Sequence, residues 1–293
     1  MTDDKKCAPS KKYTDGSCFE LDSLKDIARH YNKKYGDIIT ITDDKKKLVQ
    51  ALDEKLTDKC SEQTCWLRQE FARGIQNEMI KTFRPKGPSK SKEWLSTIDI
   101  DKVMEQYQDK YKDFCYLGTV PSDFEELAVL GIDKINFDNM AMKGKNRLGM
   151  VINLDEHTQS GSHWVAFYAD FKKKQLYYFD SFAKPPIKKI RNFITRIAKY
   201  LYVKEFGIEI ATKFKYIVKG HAKKDKLGVS VLKKLNKIDI RYNKIQHQFE
   251  NTECGVYSMN FIIRLLNGET FDEITNNITK DLEMNACRNV YFR

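Results

Sequence analysis

The sequence predicts an α+β protein, in which helices pack around a central, mostly antiparallel sheet and a small helical arm precedes that core. Three observations carry the expectation. Segments of helical period fill both ends of the 293-residue chain. Three runs of strand character stand close together between them, at 148–155, 163–171 and 175–181. The stretch RPKGPSKSK, which holds Pro85, Gly87 and Pro88 and no apolar residue, divides the two parts. The predicted organisation is an N-terminal helical arm domain over residues 1–83 and a larger domain over 84–293.

In the arm, LDSLKDIARHYNKKYG places Leu21, Leu24, Ile27, Ala28 and Tyr31 on one helical face, with Asp22 as a candidate cap. DDKKKLVQALDEKLTD repeats the pattern through Leu48, Val49, Leu52 and Leu56, and the extended ITIT lies between the two. Helix, extended segment and helix in that order resemble the SAP type of nucleic-acid-binding module and equally fit a small arm that only packs. A third helix is predicted from Trp66 to Phe83, stopped by Pro85.

Beyond the linker, EWLSTIDIDKVMEQYQDKY predicts a turn and then a helix through Ile100, Val103, Met104, Tyr107 and Tyr111. LGMVINLD, HWVAFYADF and QLYYFDS are rich in β-branched and aromatic residues, and the polar turn Lys172 to Lys174 joins the last two as an antiparallel hairpin. Pro185 and Pro186 open a helix whose inner face is Ile187, Ile190, Phe193, Ile194, Ile197 and Leu201, closed by Gly207. KIDIRYNKI is a further strand. The last helices are predicted over Gly255 to Leu266 and Phe271 to Tyr291, separated by the turn Asn267–Gly268.

With 41% apolar residues the chain can bury a real core. It has no run of about 18 apolar residues, and its first residues are charged where a signal peptide would be apolar. These features predict an intracellular protein. Seven scattered cysteines, an odd number, do not resemble a disulfide framework, so most are expected to be free thiols. Cys60 and Cys65 are spaced C-x4-C but lack a second ligand pair, so no metal site and no cofactor is expected. The net charge of +11 is carried largely by lysine clusters: Lys45 to Lys47, Lys172 to Lys174, Lys188 with Lys189, Lys223 with Lys224 and Lys233 with Lys234. Such an excess attracts nucleic acid or another polyanion, through the basic surface or the arm, and equally describes a solvated face.

Chemistry concentrates near the end of the chain, in HQFENTECGVYSMNFIIRLLNG. Cys254 opens the helix that a purely structural thiol could occupy anywhere, and a thiol at the positive end of a helix macrodipole tends to ionise. A cysteine nucleophile needs a base, and the base needs an orienting group. His163, in GSHWVAFYADF, stands at the mouth of a strand after the turn Gly161–Ser162. Asp180 ends the next strand, so antiparallel pairing would lay it beside His163. Gln248 lies on the segment entering the Cys254 helix, where a neutral amide can donate to an oxyanion together with the cysteine's own N–H.

The order His163, Asp180, Gln248, Cys254, the contexts GSHW and YYFDS, and the ending Q-x5-C-G resemble the Ulp/adenain-like cysteine proteases of the CE clan, at SUMO-protease spacing. Within that family the chain looks most like the polyprotein-processing proteases of large nucleocytoplasmic DNA viruses, of the African swine fever virus type. The likeness covers about 84–293 and rests on RPKGP, WLST, NLDEHTQSGSHWVAF, QHQFENTECGVYS and ITKDLEMNACRNVYF. It departs at Asp180, where that type has asparagine. The resemblance implies a papain-like, Ulp-adenain-type core with Cys254 as nucleophile, His163 as base and then acid, Asp180 as orienting group, and Gln248 with the Cys254 amide as oxyanion hole. It implies that Trp164 and Gly255 line the substrate channel. The implied activity is cleavage of capsid or core precursors at Gly-Gly-Xaa-type sites in the virion and host cytoplasm. The same four residues would also suit a SUMO or ubiquitin-like deconjugating isopeptidase or an acetyltransferase of the clan, and a non-enzymatic DNA-binding virion protein is the remaining alternative.

Overall fold

The computed structural model describes residues 2–88, 92–207, 209, 213–219 and 237–293. Lys223, Lys224, Lys233 and Lys234 and the linker residues 89–91 lie outside them. The chain divides into two compact units, Met1–Gly87 with Asn289–Arg293, and Pro88–Arg288.

In the first unit, α1 (Leu21–Tyr35) buries Leu24, Ile27, Ala28 and Tyr31, and α2 (Lys45–Leu56) buries Leu48, Val49, Leu52 and Leu56, as their spacing predicts. The Asp44 side chain caps α2 by accepting the Lys47 N–H at 3.1 Å. The long helix expected over 66–83 does not form. In its place stand 3-10 turns at Gln63–Arg68 and Glu70–Ala72 and the short α3 (Asn77–Thr82). Gly74, at φ +100°, turns the chain where a helix would have to continue. The core of the unit centres on Phe19, stacked on Trp66 and edge-on to Phe83.

The expectation of mostly free thiols also fails. Cys7–Cys18 and Cys60–Cys65 are disulfides, leaving Cys115, Cys254 and Cys287 free. Their Cα atoms stand 5.3 and 5.5 Å apart, inside the range a disulfide needs. The backbone bridge from Cys7 to Phe83 and the burial of Cys18 beside Phe19 set the first approach, and spacing along the chain does not reveal it.

The second unit begins with α4 (Thr97–Lys110), closed at its start by a reciprocal capping box between Ser96 and Asp99. It leads into β1 (Phe114–Val120), the short α5 (Phe137–Met142), β2 (Arg147–Asn153), β3 (Trp164–Asp170) and β4 (Gln175–Phe179). Next come α6 (Lys188–Phe206), α7 (Phe214–Ile217), β5 (Asp239–Tyr242) and α8 (Cys254–Leu266). α9 (Phe271–Asn276) and α10 (Asp281–Ala286) follow, and α11 (Arg288–Tyr291) begins at the last residue of this unit and continues into the first.

The five strands lie in sequence order. The central pairs β2·β3 and β3·β4 are antiparallel, and the edge pairs β1·β2 and β4·β5 are parallel, so the sheet is mixed. Alternation sorts its side chains. Leu148, Met150, Phe167, Leu176 and Tyr178 meet Ile190, Phe193, Ile194 and Ile197 of α6. On the other face Phe179 stacks on Phe261 of α8 at 4.8 Å and Tyr177 meets Phe271. Where α8 and β1 press on β2 the residue is Gly149, whose Cβ would fall 2.7 Å from the Phe114 ring and 3.2 Å from Ile262.

Gly207, in the left-handed region, ends α6 as expected, while the helix starts at Lys188 rather than at the prolines. The predicted helix from Phe271 to Tyr291 is broken into three. Asn277 is extended there, which frees backbone groups of 275–279 for the residues that enter α8.

Candidate active site

Cys254 is the first residue of α8 and is 4% exposed. His163 lies one residue ahead of β3, and Asp180 one residue past β4. The antiparallel register Ala166↔Phe179 brings those two strand ends together. His163 Nε2 and Asp180 Oδ1 are 2.7 Å apart, and Cys254 is the other hydrogen-bonding neighbour of the ring. Burial alone would discharge the imidazole, but the hydrogen bonds to Asp180 and Cys254 and the electrostatic pull of both outweigh it and raise its pKa to about 9. At neutral pH the ring is therefore an imidazolium set between a carboxylate and the cysteine sulfur.

Asp180 is fully buried, held through Oδ1 and its backbone, while Oδ2 is buried without a hydrogen-bond partner among the described residues. Its Oδ1 also accepts the Phe182 N–H at 2.8 Å, and its backbone is clamped by Asn243, which accepts from Asp180 N at 2.9 Å and donates to Asp180 O at 2.7 Å. The Phe182 ring lies 4.8 Å from the His163 ring and fixes its plane.

Gln248 is buried too, six residues before Cys254. Its Oε1 accepts from Ser181 Oγ at 2.6 Å and its Nε2 donates to Glu250 O at 2.7 Å, which fixes the amide's orientation and leaves one Nε2 proton for another acceptor. The surrounding loop is tied to three places: Ser181 O accepts from His247 N and Gln248 N, Asp281 Oδ2 accepts from Phe249 N and Glu250 N, and Tyr257 donates to His247 O. His247 sits beneath it, with Nε2 3.2 Å from Thr275 O and Nδ1 accepting from Thr279 N. These are the backbone groups freed by the break after α9. Burial lowers the His247 pKa and keeps the ring neutral.

Glu253, the residue before the cysteine, is buried in an ion pair with Arg288 at 2.8 Å and accepts from Asn285 at 3.0 Å, anchoring the start of α8. Trp164 donates its indole N–H to Leu95 O at 3.1 Å. Gly255 lies under it, since a Cβ there would stand 3.3 Å from each of Trp164, Leu95 and Ile100. Beside them a cavity of about 480 Å³ is walled by Trp94, Leu95 and Trp164 and floored by Asn153 and Gly161.

A thiol paired with an oriented imidazolium, next to a fixed amide donor and an aromatic-walled cavity, is equipped for acyl transfer at a peptide carbonyl. All six residues singled out in the sequence thus lie in one region. Sequence reading missed Ser181, Asn243, Asp281 and Trp94. Ser181 and Trp94 stand within motifs it did quote, FDS and WLST. Asn243 and Asp281 act through backbone contacts that leave no local signal.

The model of the Ulp1 protease family, C-terminal catalytic domain, matches residues 133–291. The chain belongs to that family. As a Ulp1-family member it is a cysteine peptidase, a hydrolase. It is 36% identical to a putative thiol protease of Acanthamoeba polyphaga mimivirus, across 98% of this chain and 93% of the relative. It is 23% identical to the SUMO-1 cysteine protease of African swine fever virus, across 85% and 88% of the two. The crystal structure of an African swine fever virus protease superposes with a TM-score of 0.64 at 20% identity, over 100% of this chain and 97% of that one. The Ulp-type α+β fold and the kinship with proteases of large DNA viruses are therefore as the motifs implied.

Proposed function

We propose that this Ulp1-family peptidase is a processing endopeptidase that cleaves viral capsid or core precursors after Gly-Gly, at Gly-Gly-Xaa-type sites, in virions and the cytoplasmic factories where they assemble. The observation that carries the reading is the hydrogen-bonded chain from Asp180 through His163 to Cys254. Cys254 Sγ attacks the scissile carbonyl while His163 holds the thiol's proton, and Asp180 keeps the imidazolium in place. The oxyanion is met by the free Gln248 Nε2 proton and by the Cys254 N–H, one of the helix-start donors without an intrahelical acceptor. His163 then protonates the leaving amine, and a water activated by the same ring hydrolyses the thioester.

The preference for glycine is supported by the narrow setting of the site. Trp164 packs so closely on Gly255 that a Cβ there would stand 3.3 Å from it, and it lines the neighbouring cavity together with Trp94. The origin of the relatives in two large DNA viruses supports the viral precursors as substrates. In the same reading residues 1–83 form an arm domain that serves a catalytic domain over 84–293, and deleting the arm lowers turnover; a fully active truncation would reduce it to a packing appendage.

The test incubates wild type and Cys254→Ala with a peptide library containing Gly-Gly-Xaa and maps every cut by mass spectrometry. Cuts after Gly-Gly made by wild type alone are expected. A second reading, deconjugation of a ubiquitin-like protein, is favoured by the name of the African swine fever virus relative. Wild type that ignores every peptide yet reacts at Cys254 with a ubiquitin-like tail probe would replace the first reading with the second.

A further inference from the structure

Away from the cleft, a groove of about 700 Å³ opens between α6 and the segment 213–215. Its cations are Lys188, Arg191 and Lys199 from the helix and Lys213 and Lys215 from the segment, and among the described residues no acidic one lines it. The basic residues of α6 divide by partner. Lys189 pairs with Glu126 and Glu156, Arg196 with Glu125, and Lys204 with Asp138. Among the described residues, none of the five groove cations forms an ion pair.

Positions 188, 191 and 199 recur on one helical face and span about 16 Å at ~1.5 Å per residue. Arg191 is braced by its bond to Pro186 O at 3.2 Å. Unneutralised like charges held in a concavity repel one another and raise the local concentration of anions. Five cations spread along a groove suit a ligand with several spaced negative charges better than a single small anion.

Two aromatic rings narrow the class. Phe214 and Tyr242 line the same groove beside the cations and are half-buried, packed in part against the core. Cations that follow a backbone, interleaved with rings on which bases stack, are the pattern of single-strand nucleic-acid sites. An acidic peptide would use the charges and leave the rings idle. We propose that this groove binds a single-stranded nucleic acid, with its phosphates along Lys188, Arg191, Lys199, Lys213 and Lys215 and its bases against Phe214 and Tyr242.

The proposal is independent of the peptidase reading, and its test uses the full chain. Fluorescence anisotropy follows binding of a labelled oligothymidine 12-mer across a salt series, for wild type, for K188Q/R191Q/K199Q, and for the charge-matched control K46Q/K172Q/K173Q. Wild type should show a log–log salt slope of about −3, from four or five neutralised phosphates at ~0.7 each. The groove triple should lose about two units of that slope and at least tenfold in affinity, while the control keeps both. Turnover of a peptide substrate by the triple verifies its fold. If it misfolds, ultraviolet cross-links on wild type mapped to 185–199, 213–219 or 242 serve instead. Equal loss in the two triples, cross-links elsewhere, or displacement of the 12-mer by polyglutamate of equal charge at equal concentration would overturn the proposal.

Discussion

His163 is charged because of where it stands, and its charge sets the pH range of the site. Two hydrogen-bonded partners raise its pKa from 6.5 to about 9 against the opposing effect of burial. With the folded value above the unfolded one, the stabilisation it provides is complete below about pH 6.5 and is lost as pH rises through about 9. The alkaline limb of kcat/KM should accordingly fall near pH 9, where the acid that protonates the leaving amine disappears. Cys254→Ala removes one of the raising partners, so the His163 resonance should titrate at a lower pH in that variant, with the Asp180 bond intact. An unchanged midpoint by NMR would mean that the thiol contributes nothing to the charge.

Gln248 is expected to act on the transition state alone. Gln248→Ala should lower kcat by about 10²–10³ with little change in KM, the cost of one lost oxyanion donor, and a near-normal steady-state rate would place that donor elsewhere. At this scale much of the site was legible. A cysteine at a helix start, a histidine at a strand mouth and an aspartate one strand later form a pattern that the sequence itself carries. Asn243 and Asp281 were not legible, because each works by accepting or donating to backbone groups of residues distant in sequence.

At the scale of elements, the hairpin β3·β4 does the assembling. Its register fixes the distance between His163 and Asp180, and α8 delivers Cys254 by packing Phe261 on Phe179 and Ile262 near Gly149. Gly149→Ala should therefore disturb the stack of β1, β2 and α8. With a Cβ only 2.7 Å from the Phe114 ring, overpacking should cost about 1–3 kcal/mol, read as a lower urea midpoint at unchanged m-value. A neutral substitution would mean that Phe114 moves aside without penalty. The three central strands were legible from their β-branched and aromatic content, which suits strands buried on both faces. The first strand was not, because its register shifts between Tyr116 and Thr119 around Gly118 and breaks the period. The helix expected over 271–291 failed for a different reason: its backbone groups are spent on His247 and Tyr257.

Across the whole molecule, stability is supplied by different means in the two units. The first, of residues 1–87 and 289–293, carries both disulfides, and the second has none among its described residues. Opening loops of 11 and 5 residues should remove about 2–3 kcal/mol each on a chain-entropy basis. Limited proteolysis under reducing conditions should thus cut first within residues 1–83, leaving the second unit intact. Equal protection with and without reductant would show that the Phe19, Trp66 and Phe83 core suffices alone.

The sequence by itself determined most of the helix and strand segments and, through its quoted motifs, the likeness to the Ulp type that the family match bears out, because these depend on local patterns of residues. Only the tertiary structure decided the disulfide pairs, the parallel edges of the sheet, the clamp of Asn243 on Asp180 and the division of α6 into neutralised and free cations. Those features depend on which distant residues meet, and it is packing of the whole chain that brings them within reach.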